Sequence, residues 1–139
     1  MAGLLTVLAD TSGIIAFLDR SDRHHEAAVR IAQSETLWVP STVLPEVDYM
    51  VTKYLGIRVA TAFFEDLIQS IFQYVVVEMT DIERAVRIMQ RYRDVPLGIV
   101  DASLVALAER YQIQQILTLD RRHFSLIQPE KMSYLQLLP

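Results

Sequence analysis

Leu5-Thr6-Val7-Leu8-Ala9-Asp10-Thr11-Ser12-Gly13-Ile14-Ile15-Ala16-Phe17-Leu18-Asp19 is the stretch on which the fold turns. Residues 5–9 are a short apolar run of the kind that makes a fully buried strand, and residues 14–18 read as a short buried helix. Between them sits Asp10, leaving the carboxyl end of the strand, where open α/β sheets place their ligand crevices. Two hydroxyls and a glycine follow to turn the chain. Asp-Thr-Ser between a strand and a helix is also good capping chemistry with no further role. Asp10 gains a functional reading only if other acids, distant in sequence, return to meet it.

With 139 residues, 52% of them hydrophobic, the chain is long enough for one domain with a sizeable core, and residues 1–139 are assigned to a single domain. Cysteine is absent, which removes disulfides and thiolate metal sites. The apolar N-terminus lacks a basic leader region, Asp10 and Asp19 interrupt it, and no run reaches the length of a bilayer span, so the expectation is a cytoplasmic protein with no membrane partner. Seventeen acids against 13 cations give a net charge of −4, which excludes gripping nucleic acid through a general positive field. Lys53 and Lys131 are the lysines and the other cations are arginine, the side chain suited to bidentate phosphate contacts.

Outward from Asp19, a polar turn leads into an amphipathic helix over residues 24–32, and the adjacent His24 and His25 point too far apart on it to share a metal. Residues 36–39 read as a second strand closed by Pro40. A helix follows, capped by Ser41 or Thr42, with Pro45 in its first turn and Glu46 near its N-terminus, the same position after a strand as Asp10. Residues 57–71 make a helix whose apolar band is wider than one buried stripe requires. Residues 72–77 are β-branched and aromatic, hence a strand. Thr80-Asp81-Ile82-Glu83 then reads as a capping box.

The helix over residues 81–93 places Ile82, Val86, Met89 and Tyr92 on one side and Arg84, Arg87 and Arg91 on another, either a solvated face or a ridge for phosphates. Next comes a helix dense in Ala and Leu over residues 96–110. Asp101 shares a face there with Val105 and Ala108, and an ionised carboxylate in an apolar stripe is costly unless it is paired or metal-bound. Residues 115–119 form a strand ending on Asp120, once more an acid at a strand's carboxyl end, and residues 132–138 supply a last strand.

Ala9-Asp10-Thr11-Ser12, Pro45-Glu46, Val100-Asp101-Ala102 and Leu117-Thr118-Leu119-Asp120-Arg121-Arg122-His123-Phe124, in this order and at these spacings, resemble the PIN-domain family, and within it the small VapC-type endoribonuclease toxins of bacterial toxin–antitoxin pairs. The resemblance implies a three-layer α/β/α domain with a mostly parallel central sheet of about five strands. It implies an acidic quartet at Asp10, Glu46, Asp101 and Asp120, supporting hydroxyls at Thr11 or Ser12 and at Thr118, and metal-dependent RNA hydrolysis leaving a 5′-phosphate and a 3′-hydroxyl. It also implies a small antitoxin partner whose C-terminal segment lies across the crevice. Residues 57–72 are where antitoxin contacts or a homodimer are expected.

Chemistry alone favours the same reading. Carboxylates gathered in one crevice repel, so either their pKa values rise or a cation joins them. Oxygen ligands without Cys or paired His suit a hard ion, Mg²⁺ or Mn²⁺, able to activate a water for in-line attack on a phosphodiester. Arg84, Arg87, Arg91, Arg121 and Arg122 are the candidates for holding flanking phosphates of an RNA substrate. The alternative is a non-catalytic module binding RNA or protein, and DNA remains open as a substrate.

Overall fold

The computed structural model describes residues 5–139. Its sheet consists of β1 (Thr6–Ala9), β2 (Thr36–Pro40), β3 (Gln73–Val75), β4 (Gln115–Leu117) and β5 (Gln136–Leu138), in the order β3-β2-β1-β4-β5 with every neighbouring pair parallel. Val7, Leu8 and Ala9 of the central strand are fully buried, which is why β1 reads as an unbroken apolar run rather than an alternation. The expected sheet of about five strands is therefore present, and it is wholly parallel.

Parallel strands need crossovers, and helices supply them. Between β1 and β2 lie α1 (Thr11–Leu18) and α2 (His25–Ser34); between β2 and β3 lie a 3₁₀ turn (Ser41–Val43), α3 (Leu44–Leu55) and α4 (Ile57–Ile68). α5 (Met79–Arg91) and α6 (Ile99–Tyr111) carry the chain back past β2 and β1 to β4, and the single turn α7 (Arg121–Phe124) precedes β5. Right-handed crossovers put α1–α4 on one face and α5–α6 on the other. The packing agrees, with α1 against α2 and α3, α3 against α4, and α5 against α6. Apolar residues from both faces join one core cluster. The chain leaves β1 toward β2 on one side and reaches β4 on the other, so the topological switch point lies between the carboxyl ends of β1 and β4.

Several local expectations shift. The hydroxyls expected to cap α3 are used elsewhere: Ser41 Oγ accepts from the Val77 amide at 2.9 Å, and Thr42 Oγ1 lies 2.8 Å from Ser103 Oγ, tying this turn to the end of β3 and to α6. Val43 stands at the N-cap without a side-chain bond, and Pro45 does fall in the first turn. The capping box of α5 is Glu78 with Asp81, not Thr80 with Glu83, so α5 begins earlier than expected. Its buried residues are Asp81, Ala85 and Ile88, while Val86, grouped by sequence with Ile82, Met89 and Tyr92 on one side, is 41% exposed.

The apolar helix from residue 57 stops at Ile68 rather than Ile71, because Ser70 takes a left-handed conformation (φ 63°) that no helix continues through. Its wide band accordingly splits. Ala60 and Phe63 enter the core, whereas Ile57, Ile68 and Ile71 are exposed. Among the described residues, no helix is long and apolar enough to cross a membrane.

Candidate active site

The crevice at the switch point is built from strand ends and helix starts. β1 ends in register with β4, Ala9 opposite Leu117, and the Asp10 amide donates to the Leu117 carbonyl at 3.0 Å. Asp10 is the N-cap of α1 in extended conformation, and its Oδ1 accepts from the Thr11 amide at 2.8 Å. Its Oδ2 faces the other way and accepts from Thr118 Oγ1 at 2.9 Å. One carboxylate thus caps a helix and lines a cleft, so the capping and site readings of Asp10 are both geometrically satisfied.

The hydroxyls hold the acids apart and oriented. Thr11 Oγ1 donates to Glu46 Oε1 at 2.6 Å, fixing the first turn of α3 against the first turn of α1. Ser12 Oγ accepts from the Leu119 amide at 2.9 Å and lies 3.2 Å from Thr118 Oγ1. Thr118 has one proton to give, and its shortest bond to a carboxylate assigns that proton to Asp10. Thr118 Oγ1 also accepts from the Asp120 amide at 3.1 Å, setting the entry of α7. The three hydroxyls expected to support the quartet each touch it or the backbone that carries it.

Asp101 projects from the first turn of α6, and Asp120 precedes α7. With Asp10 and Glu46 they line one hollow of about 380 Å³, to which Asp22 and Met50 also contribute. Burial pushes the Asp10 carboxyl up to about 6, against the Thr118 hydrogen bond that pulls it down, and the charges of Asp101 and Glu46 push it further up. Asp101 is likewise raised by burial, opposed by His123, with Asp120 and Glu46 repelling it. Asp120 is held low by Arg122, whose Nε stands 3.3 Å from Asp120 Oδ1. The four acids feel one another across the crevice.

Among the described residues, no three acids or imidazoles are drawn together as a ready metal cage. Carboxylates that repel do not close on one another without a cation between them. The donor set still fits a hard ion: it is all oxygen, two of its members are raised by burial and mutual repulsion, and Mg²⁺ retains several waters that span to more distant carboxylates.

Two residues of the site were not anticipated. Asp22 reaches the hollow from the turn after α1, and nothing in its sequence setting distinguishes it from an ordinary turn acid that accepts from the His24 amide. His123 Nδ1 lies 3.5 Å from Asp101 Oδ2, an ion-pair distance too long to satisfy that buried nitrogen as a hydrogen bond. Its partner Asp101 lies 22 residues earlier, on α6, so no local spacing announces the contact.

The expected arginine ridge divides. Arg84 is committed to Glu109 through bonds of 2.7 and 3.0 Å, and both it and the exposed Arg87 line a separate hollow between α5 and α6 that shares no residue with the acidic crevice. Arg91 is exposed at the end of α5. Arg121 donates to the Pro139 carbonyl and Arg122 sits beside Asp120, both exposed at the crevice's α7 side.

The chain matches the PIN domain over residues 7–128. Ribonuclease VapC26 of Mycobacterium tuberculosis (strain ATCC 25618 / H37Rv) is 36% identical over 125 residues, spanning 88% of this chain and 93% of the relative. In fold the chain is similar to the Mycobacterium tuberculosis Sarcin-Ricin loop cleaving toxin VapC20, with a TM-score of 0.76 at 23% identity over 84% of this chain and 91% of that one. It is also similar to a chain of a toxin–antitoxin complex from Klebsiella pneumoniae, with a TM-score of 0.67 at 22% identity over 87% and 92%.

Proposed function

The chain belongs to the PIN domain family, and from that premise we propose that it is a divalent-metal-dependent endoribonuclease acting as the toxin of a toxin–antitoxin pair. The observation that carries this reading is the convergence of Asp10, Glu46, Asp101 and Asp120, from four separate segments, on one crevice at the switch point of the sheet. The 36% identical ribonuclease supports RNA as the substrate, and the toxin–antitoxin complex of similar fold supports an antitoxin partner.

In this reading Asp10, Glu46, Asp101 and Asp120 hold Mg²⁺ or Mn²⁺, which when bound supplies Lewis acidity and an activated water for attack on a phosphodiester. Asp10, buried and pinned by Thr118 and the Thr11 amide, is the fixed point of the site. Glu46 is oriented by Thr11, and Ser12 and Thr118 lock the Leu119 and Asp120 backbone that positions the fourth acid. Arg121 and Arg122 beside the crevice bind the phosphates next to the cut, Arg87 and Arg91 on α5, away from the crevice, bind more distant ones, and Arg84 works mainly in its pair with Glu109. Ile57, Ile68 and Ile71 offer the surface for an antitoxin or a second copy.

The test is cleavage of a mixed RNA pool, and of single-stranded DNA beside it, by purified protein with Mg²⁺, with Mn²⁺ and with EDTA. Cutting of RNA that needs metal and vanishes in Asp10→Ala and Asp101→Asn is expected. Metal-independent cutting, or cutting that survives in both variants, overturns the reading.

A further inference from the structure

Glu46 and Met50 line the acidic crevice, and the helix that carries them continues beyond it. On α3 the spacing of four places Glu46, Met50 and Tyr54 in one row and Pro45, Tyr49 and Lys53 in the next. Pro45, Glu46, Tyr49, Met50 and Tyr54 line a second, open and mostly apolar hollow of about 420 Å³ that shares Glu46 and Met50 with the crevice. Tyr49 and Tyr54 stand 65% and 67% exposed along it, and Lys53 Nζ lies 5.7 Å from one ring centroid and 5.2 Å from the other. Two large rings held open in water beside the acidic crevice, with one of the chain's two lysines between them, are unexplained by packing.

We propose that the Tyr49 and Tyr54 rings form a stacking platform for unpaired bases of the RNA, next to the phosphodiester placed at the acids, with Lys53 facing the adjoining phosphate. The identity of the occupant rests on the nuclease reading. Single-stranded nucleic acid is held by aromatic faces interleaved with cations, and Tyr49, Lys53 and Tyr54 supply both within one helical turn and a half. The hollow is continuous with the crevice, so one strand threads both. Its mostly apolar lining and its place directly beside the acids suit a planar base laid against a ring. The enzyme then selects RNA that is unpaired on one side of the cut, because paired bases cannot reach the rings.

The experiment measures affinity for a labelled, unstructured oligoribonucleotide, with Ca²⁺ in place of Mg²⁺ and intact RNA verified on a gel, beside a strand of the same length lacking bases. Tyr49→Ala and Tyr54→Ala are each expected to weaken binding of the base-bearing strand about tenfold, while binding of the abasic strand stays unchanged. Tyr49→Phe and Tyr54→Phe retain the affinity, and Tyr49→Leu, apolar without a stacking face, loses it. Melting temperatures stay at the wild-type value, since neither ring enters the core. Equal affinity of wild type and alanine variants, or equal loss on both strands, overturns the proposal and leaves this face to a protein partner. Cleavage of the RNA pool run in parallel separates the two claims. A protein that binds bases through the tyrosines but never cuts rejects the nuclease reading alone, and one that cuts with tyrosine-independent affinity rejects the platform alone.

Discussion

At Asp10, capping of α1 and burial of a carboxyl act on the same side chain, and the two have opposite effects on its charge. The Thr11 amide and the Thr118 hydroxyl favour the ionised form, while burial and the neighbouring acids favour the neutral one and win, lifting the group from 3.8 to about 6. Between those values the unfolded chain gives up its proton first, so the folded state loses stability as pH rises from about 4 to about 6, and the loss levels off above that. A displacement of this size corresponds to ~3 kcal/mol in metal-free protein. Urea denaturation in EDTA across this window is expected to show that decline in the wild type and a flatter profile in Asp10→Asn. Parallel profiles would remove the burial penalty from the account. The acid reveals itself in sequence because it interrupts the seam between an apolar strand and a helix. Its partner Thr118, 108 positions away and just past the end of β4, stands out only through the family resemblance, since a threonine beside a strand is ordinary.

At the scale of elements, α1 sits where it does because residue 13 lacks a side chain. A Cβ there meets the Leu117 carbonyl oxygen at 2.4 Å and the Leu117 side chain at 2.7 Å, so glycine lets the first turn of α1 lie against β4. That contact brings Thr11 and Ser12 to the same edge as Thr118. Gly13→Ala is expected to cost about 3 kcal/mol in urea denaturation and to lower metal-dependent activity with it, and an unchanged midpoint would contradict the packing argument.

Element types were legible wherever apolar periodicity was strong, as in β1, α3 and α6. Their edges were less so, for reasons of partnership. Glu78 rather than Thr80 caps α5 because Asp81 reciprocates from the third position and is itself anchored by Arg110 at 2.8 and 2.9 Å. Arg84 looked like part of a free basic ridge because its partner Glu109 lies 25 residues on, in another helix. Removing Arg84 from that pair leaves the buried Glu109 carboxylate without its cation, a cost of structure rather than of substrate contact.

At the scale of the molecule, the strand order β3-β2-β1-β4-β5 makes the crevice and the sequence fills it with acids. Each acid follows a strand or opens a helix, so the quartet could be read from sequence by position. Their meeting was implied by the family resemblance rather than by any one spacing, and what could not be read is the arrival of Asp22 and His123, which depends on how far α1 and α7 carry the chain. Arg122, His123 and Thr118 offset the repulsion among the acids only in part, leaving Asp10 and Asp101 raised, and a divalent cation that binds only the folded state adds stability by mass action.

Calorimetric titration of Mn²⁺ into the metal-free protein, beside Asp10→Ala and Asp101→Asn, therefore tests most directly whether the four acids are one cation site. Saturable binding in the wild type that is lost in both variants is the predicted result. Wild-type heats that persist unchanged in both variants, or no binding by the wild type, would contradict the account.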